Sequence, residues 1–337
     1  MIDYILTILI LVILGLIALY GNKASNDQSG FMSKQYTTML KAICCIIVIF
    51  VHIPLAKQNK IQDGIGSFAY ICVTIFFMIS AYGMILNTTK KVDYLKHFWR
   101  NRLAVLLIPQ VLINIFDMLL TTRVSTLNFL TIFNLNKYVI VLLCYYIYFW
   151  FVYQGRSLLS QKTINTLLMV GIVMSSLFSY FYIDEKNTYW CFERFGLLYG
   201  LIIFLLLPNV KRIINPNTKR IIFYFIICII FGIAYLKFKN IFFWGEFLLR
   251  IILGLSTILL IFTLTSKRTF GNQILNYLGN ISYEVYLSHG FIITLIMHYK
   301  PDLSSGIFIV LTIISTIIFS SIIHIISTPL IKMIRSK

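Results

Sequence analysis

Charge is scarce in this chain, and negative charge is scarcer still. Only 12% of its 337 residues are Asp, Glu, Lys or Arg, and 11 acids stand against 29 bases. A soluble domain carries about twice that share of charge. With 59% hydrophobic residues the chain cannot close a water-soluble surface around itself. The six cysteines (Cys44, Cys45, Cys72, Cys144, Cys191 and Cys228) form no CxxC and no Cys/His cluster, and five lie in apolar runs. Neither a disulfide framework nor a metal site is expected. Soluble domains, long linkers, low-complexity tracts and internal repeats are missing too. The formal charge of +18 does not point to nucleic acid, because the bases sit in short loops between apolar runs. The expected partner is the lipid bilayer of the cell membrane.

What the chain does have is apolar runs. Eleven can be drawn, at roughly 4–20, 37–55, 65–86, 103–121, 138–153, 163–182, 194–207, 221–236, 244–265, 276–298 and 305–331. An all-α polytopic membrane protein with about eleven spans follows. The first run lacks a basic flank and a small-residue cleavage site, so it reads as a retained helix. With the N-terminus outside, inside segments hold 18 bases and outside segments 9. That bias predicts an external N-terminus and a cytoplasmic C-terminus. Residues 1–36 then form a first helix and loop, 37–331 the main membrane domain, and 332–337 a short basic tail. Loop 87–102 is the most basic, and loop 183–194, with Asp184, Glu185 and Glu193, is external. Abundant Ile, Lys, Asn and Tyr point to an AT-rich bacterial genome.

Titratable residues inside lipid are costly and need a reason. Lys41 and His52 stand eleven residues apart on one predicted helix. Eleven residues are almost three turns, so the two share a face, roughly 16 Å apart along the axis. Two readings stand side by side: a snorkelling lysine with an interfacial histidine, or a functional pair. Asp117, Glu246, Arg250, Glu284 and His289 also fall in apolar runs. Glu246 and Arg250, spaced i, i+4, read first as a structural ion pair. Asp117 reads equally well as interfacial, His97 as solvated, and His324 as a hydrogen-bonded packing residue.

Three further stretches stand out. HFWRNRLAVLLIPQ, residues 97–110, brings Arg100 and Arg102 to the start of a membrane helix. It is either a positive-inside anchor or an anion site, since arginine's planar fork suits phosphate. FFMISAYGMI, residues 76–85, sets Ser80 and Gly83 among aromatics and by itself implies only close helix packing. YLGNISYEVYLSHGFII, residues 277–293, places Tyr286 and His289 three apart, as neighbours on a helix surface.

Together these pieces resemble the membrane acyltransferase family called acyltransferase 3. Its first core helix carries a basic residue eleven positions before a histidine, here Lys41 and His52; the usual residue is arginine. An FFxxSG-like run follows, matched by Phe76 to Gly83 with Ala81 in place of a glycine. An RxxR stretch leading to a proline is matched by Arg102 and Pro109, with Val105 where the second arginine is common. SYxxYLxH is matched by Ser282, Tyr283, Tyr286, Leu287 and His289. The resemblance spans about 37–331 and implies a ten-helix fold, to which the first helix is an addition.

It also implies an enzyme that moves an acyl group, usually acetyl, from cytoplasmic acyl-CoA to a hydroxyl of a surface or lipid-linked glycan. Acetyl-CoA is then the donor substrate, and no metal is needed. Lys41, Arg100 and Arg102 would hold the donor, and His52 would act as general base or carry the acyl group. His289, Tyr286 and Ser80 would support the site, with Asp117, Glu193 and Glu246 as acceptor-side candidates. A homo-oligomer is left open. Two other classes remain: a transporter or flippase using the buried charges as a path, and a glycan polymerase. The absence of a repeat speaks against the first, and the modest longest external loop, about 16 residues, against the second.

Overall fold

The computed structural model describes residues 2–91, 93–121, 132–183, 189–270 and 272–336. Asp184 and Glu185, expected in an external loop, lie outside the described residues. The rest is almost wholly helical. In order come α1 (Ile2–Leu19), α2 (Lys34–Val51), α3 (Lys60–Phe68), α4 (Tyr70–Lys90), α5 (Phe98–Thr121), α6 (Lys137–Gln154) and α7 (Gln161–Tyr182). Then follow α8 (Phe195–Leu205), α9 (Leu207–Ile213), α10 (Thr218–Phe238), a π-helical turn (Trp244–Leu248) and α11 (Leu249–Thr265). α12 (Gln273–Asn280), α13 (Ser282–Tyr299) and α14 (Ser305–Ser336) complete the chain. β1 (Asn22–Ala24) and β2 (Arg268–Phe270) pair antiparallel, tying two loops together at one end of the bundle.

The expected all-α polytopic membrane protein is what the chain forms, and each of the eleven apolar runs falls on a helix. Among the described residues nine helices are long and apolar enough to cross a membrane, or ten if the α8–α9 pair, bent by 101°, counts as one span. The number falls short of eleven because the run 276–298 is not among these helices. Its helix α13 carries Glu284, Ser288, His289 and His298, which dilute its hydropathy below that of a lipid-facing span. α13 needs no lipid-facing surface, because eleven of its residues are buried. α1 and α10, in contrast, are almost unburied and display apolar side chains all round, as lipid-facing helices do.

Close helix approach builds the core. α4 and α8 pack so tightly that a Cβ on Gly196 or Gly200 would collide with the backbone carbonyls of Thr74 and Met78. These two glycines, four apart, let the backbones touch as small-xxx-small pairs do in membranes. Gly279 does the same for α12 against Thr38 of α2. The added first helix is pinned at both ends by polar contacts. Asp3 accepts hydrogen bonds from the Ser304 hydroxyl (2.6 Å) and the Gly306 N–H (2.9 Å). Asn272 donates to the carbonyls of Ile17 and Tyr20.

Candidate active site

α2 and α13 pack against each other inside the bundle, and a cavity opens at each end of this pair. The first cavity, about 510 Å3, is basic. α2 contributes Lys41, α5 contributes Arg102, and α4 contributes Ser80. α14 presents one face, His324, Thr328, Lys332 and Arg335, spaced at helical intervals. A recess of about 490 Å3 shares Asn87, Arg102, Val105 and Arg335 with it, so the two are continuous. Arg102 is fixed in place: its Nε donates to the Tyr94 hydroxyl (3.0 Å), its Nη2 to the same oxygen, and its guanidinium lies 5.4 Å from the Tyr146 ring centre. Deeper in, the Glu284 carboxylate lies 2.7 Å from Nδ1 of His324. Lys41 lies within electrostatic reach of that carboxylate.

The second cavity, about 540 Å3, holds the two histidines. His52 is the residue that caps the C-terminus of α2, with φ −96° and ψ −2°. His289 sits about two turns into α13, among its buried residues. Their ring centroids are 4.4 Å apart at 61°. Nδ1 of His52 is 3.0 Å from the Val48 carbonyl, and Nδ1 of His289 is 3.2 Å from the Val285 carbonyl. A carbonyl only accepts, so each imidazole carries its proton on Nδ1 and keeps a basic lone pair on Nε2.

Tyr286 lines both cavities. Its ring lies 4.6 Å from Tyr138, 5.8 Å from Phe76 and 5.8 Å from His289. These rings form an aromatic septum between the basic cavity and the histidines.

The far wall of the histidine cavity is the 189–194 turn. Arg194 ties it to α7 and to itself, donating to the Ser175 and Tyr189 carbonyls. The turn places Trp190, Phe192 and Glu193 on the cavity. Trp190 adopts φ +49°, a left-handed conformation that costs a bulky residue about 1–3 kcal/mol and must be imposed by its surroundings. Glu193 is 4% exposed, and its Oε2 makes no hydrogen bond among the described residues. Burial pushes its carboxyl up to about 8.

Other expected site residues fall elsewhere. Arg100 lines neither the basic cavity nor its recess, and its Nη2 lies 3.3 Å from Nδ1 of His97. Two residues make a rotation of about 200° on a helix, so Arg100 and Arg102 cannot share a face. Asp117 is exposed on α5 and lines neither main cavity. Glu246 accepts a hydrogen bond from the Tyr180 hydroxyl (2.8 Å) and lines a side pocket of about 180 Å3. That pocket adjoins the histidine cavity through Phe192 and Arg250. The Glu246–Arg250 stretch begins in a π-helical turn, and Arg250 stacks 4.4 Å from the Phe192 ring centre.

A family model described as an acyltransferase domain matches residues 34–325. The chain belongs to the acyltransferase 3 family. It is a membrane acyltransferase, and the matched stretch contains Lys41, His52, Arg102, Tyr286 and His289. No curated protein and no solved structure matches the chain significantly. α1 and the last turns of α14 lie outside the matched stretch of this acyltransferase. Sequence reasoning had missed Trp190, Phe192, Lys332 and Arg335 as cavity residues. The α14 face was readable from its helical spacing, 324, 328, 332 and 335. The 189–194 wall gave only one hint, a carboxylate between aromatic residues in a short loop.

Proposed function

We propose that this acyltransferase moves an acetyl group from acyl-CoA, bound at the basic cavity, to a hydroxyl of a surface or lipid-linked glycan at the histidine cavity. The observation that carries the reading is the pair of cavities meeting at Tyr286, cationic on one side and imidazole-lined on the other. The reading puts the basic side in the cytoplasm, with an external N-terminus and a cytoplasmic C-terminus in a bacterial plasma membrane, and the 18-to-9 distribution of bases supports that orientation.

The chemistry follows from the groups in place. Arg102, with Lys41 deeper in the same cavity, binds the donor's phosphates. The pantetheine arm lies along α2 and α13 and brings the thioester past Tyr286 and Ser80. The acceptor hydroxyl lies at Nε2 of His52, which removes its proton as the oxygen attacks the thioester carbonyl. The C–S bond breaks, the acyl group is left on the glycan oxygen as an ester, and the thiolate takes a proton to leave as CoA. His289, 4.4 Å away, orients His52 and the hydroxyl. Trp190, Phe192 and Glu193 hold the sugar: aromatic faces for its C–H surface, and a carboxyl for its hydroxyls. Mass spectrometry of surface glycans from cells with and without the protein tests this. A loss of 42-Da acetyl increments, roughly one per modified hydroxyl, supports it. An unchanged acetylation pattern with altered glycan export favours a transporter.

A further inference from the structure

Two cations in the donor cavity belong to no motif. Lys332 and Arg335 lie on the last turns of α14, beyond residue 325 where the family match ends. They share a helix face with Thr328 and His324, and that face closes one side of the basic cavity. Arg335 also lines the adjoining recess, as do Arg102 and Lys91. Its Nε donates to Oδ1 of Asn101 (3.1 Å), which ties the end of α14 to the start of α5 beside Arg102. The guanidinium is thereby held at the mouth, with its Nη groups unused by this bond.

The acidic groups nearby are accounted for. Asp93 lines the recess but pairs with Lys96 at 3.0 Å. Glu284 lies deeper, against His324 at 2.7 Å. Positive charge is therefore concentrated at the mouth, and the interior next to Lys41 carries a carboxylate. A polyanion belongs on the side lined by Lys332, Arg335, Arg102 and Lys41, and an uncharged chain belongs beyond it, towards Tyr286. That is the charge order of an acyl-CoA: nucleotide phosphates at one end, pantetheine between, thioester at the other.

We propose that Lys332 and Arg335 bind the phosphates at the nucleotide end of the donor and, with Arg102, set the depth to which it enters. This rests on the acyl-CoA reading above. The same cations could instead hold phosphates of lipid headgroups at the membrane surface, and the test separates the two sources. Acetyl transfer is measured with purified wild-type protein, with Lys332→Gln/Arg335→Gln, and with the charge-preserving Lys332→Arg/Arg335→Lys. Each is tested for inhibition by adenosine 3′,5′-diphosphate, which carries the nucleotide end alone.

The expected result is competitive inhibition of the wild type against acetyl-CoA. The Gln pair should raise both the inhibition constant and the acetyl-CoA KM by about 10- to 100-fold with kcat little changed. The charge-preserving pair should keep most of the affinity. An unchanged inhibition constant in the Gln pair overturns the proposal, as does a wild type indifferent to the diphosphate. Loss of kcat with an unchanged inhibition constant also overturns it, and assigns the two cations to lipid phosphates. Failure of the wild type to use acetyl-CoA at all is a separate result, which removes the donor reading itself.

Discussion

The rings of His52 and His289 lie 4.4 Å apart although 237 residues separate them in the chain. Each presents Nε2 as its basic nitrogen, because each Nδ1 is engaged by a carbonyl one turn earlier. The bond pattern alone makes the two equivalent. Position separates them. His52 caps its helix at the exposed end, and His289 is 5% exposed in the middle of α13.

From that difference His52→Ala should nearly abolish transfer, since loss of a general base costs about 10²–10⁴-fold in rate. His289→Ala should leave a larger residue of activity. Single-turnover acetyl transfer, normalised to inserted protein, decides between them. Substantial activity in His52→Ala, with loss only in His289→Ala, would exchange the two roles.

Arg102 and Arg100 should behave differently despite lying two residues apart. Arg102 is held by Tyr94 and Tyr146 at the cavity, and Arg100 lines neither the cavity nor its recess. Arg102→Ala should raise the donor KM about 10- to 100-fold, the cost of a lost charge-assisted contact. Arg100→Ala should change it by less than about 3-fold, because Arg100 lines neither the cavity nor its recess. Equal effects would return both arginines to the role of topology anchors.

Glu193 predicts a pH effect. Burial pushes its carboxyl up to about 8, so it is neutral below that pH and ionises as pH rises through it. A neutral carboxyl can donate a hydrogen bond to a sugar oxygen, and an ionised one cannot. Acceptor KM should therefore rise as pH is raised through about 8 in the wild type. In Glu193→Gln, which stays neutral and keeps a donor, that rise should be absent. Parallel curves for the two proteins would remove Glu193 from the acceptor site.

The orientation can be read directly. A reporter fused after Lys337 should be cytoplasmic, and tags within 21–36 and 183–193 should fall on opposite sides of the membrane. An external 21–36 segment would put the basic cavity on the wrong face for a cytoplasmic donor.

The fold was legible in the sequence because lipid enforces one pattern, an apolar run per helix, and all eleven runs fall on helices. The exception, α13, shows where that logic stops. A helix surrounded by protein can carry Glu284 and His289 at no lipid cost, so its hydropathy does not report its place. The site was half legible. Lys41, His52 and His289 could be singled out because polar residues in apolar runs are conspicuous, and Arg102 and Tyr286 because they stand in stretches that match the family pattern. Trp190, Lys332 and Arg335 were not, because aromatic and basic residues at loops and helix ends are ordinary. Only tertiary packing brings them to a cavity. The partner of Glu284 was hidden for the same reason, His324 lying 40 residues away on the next helix.

The most direct test of the central claim is incubation of purified protein with acetyl-labelled acetyl-CoA and cell-surface glycan extract. Label should become covalently attached to glycan and be released by mild alkali as acetate, with matching production of free CoA. Label that stays on CoA while the folded protein binds or moves glycan would contradict it.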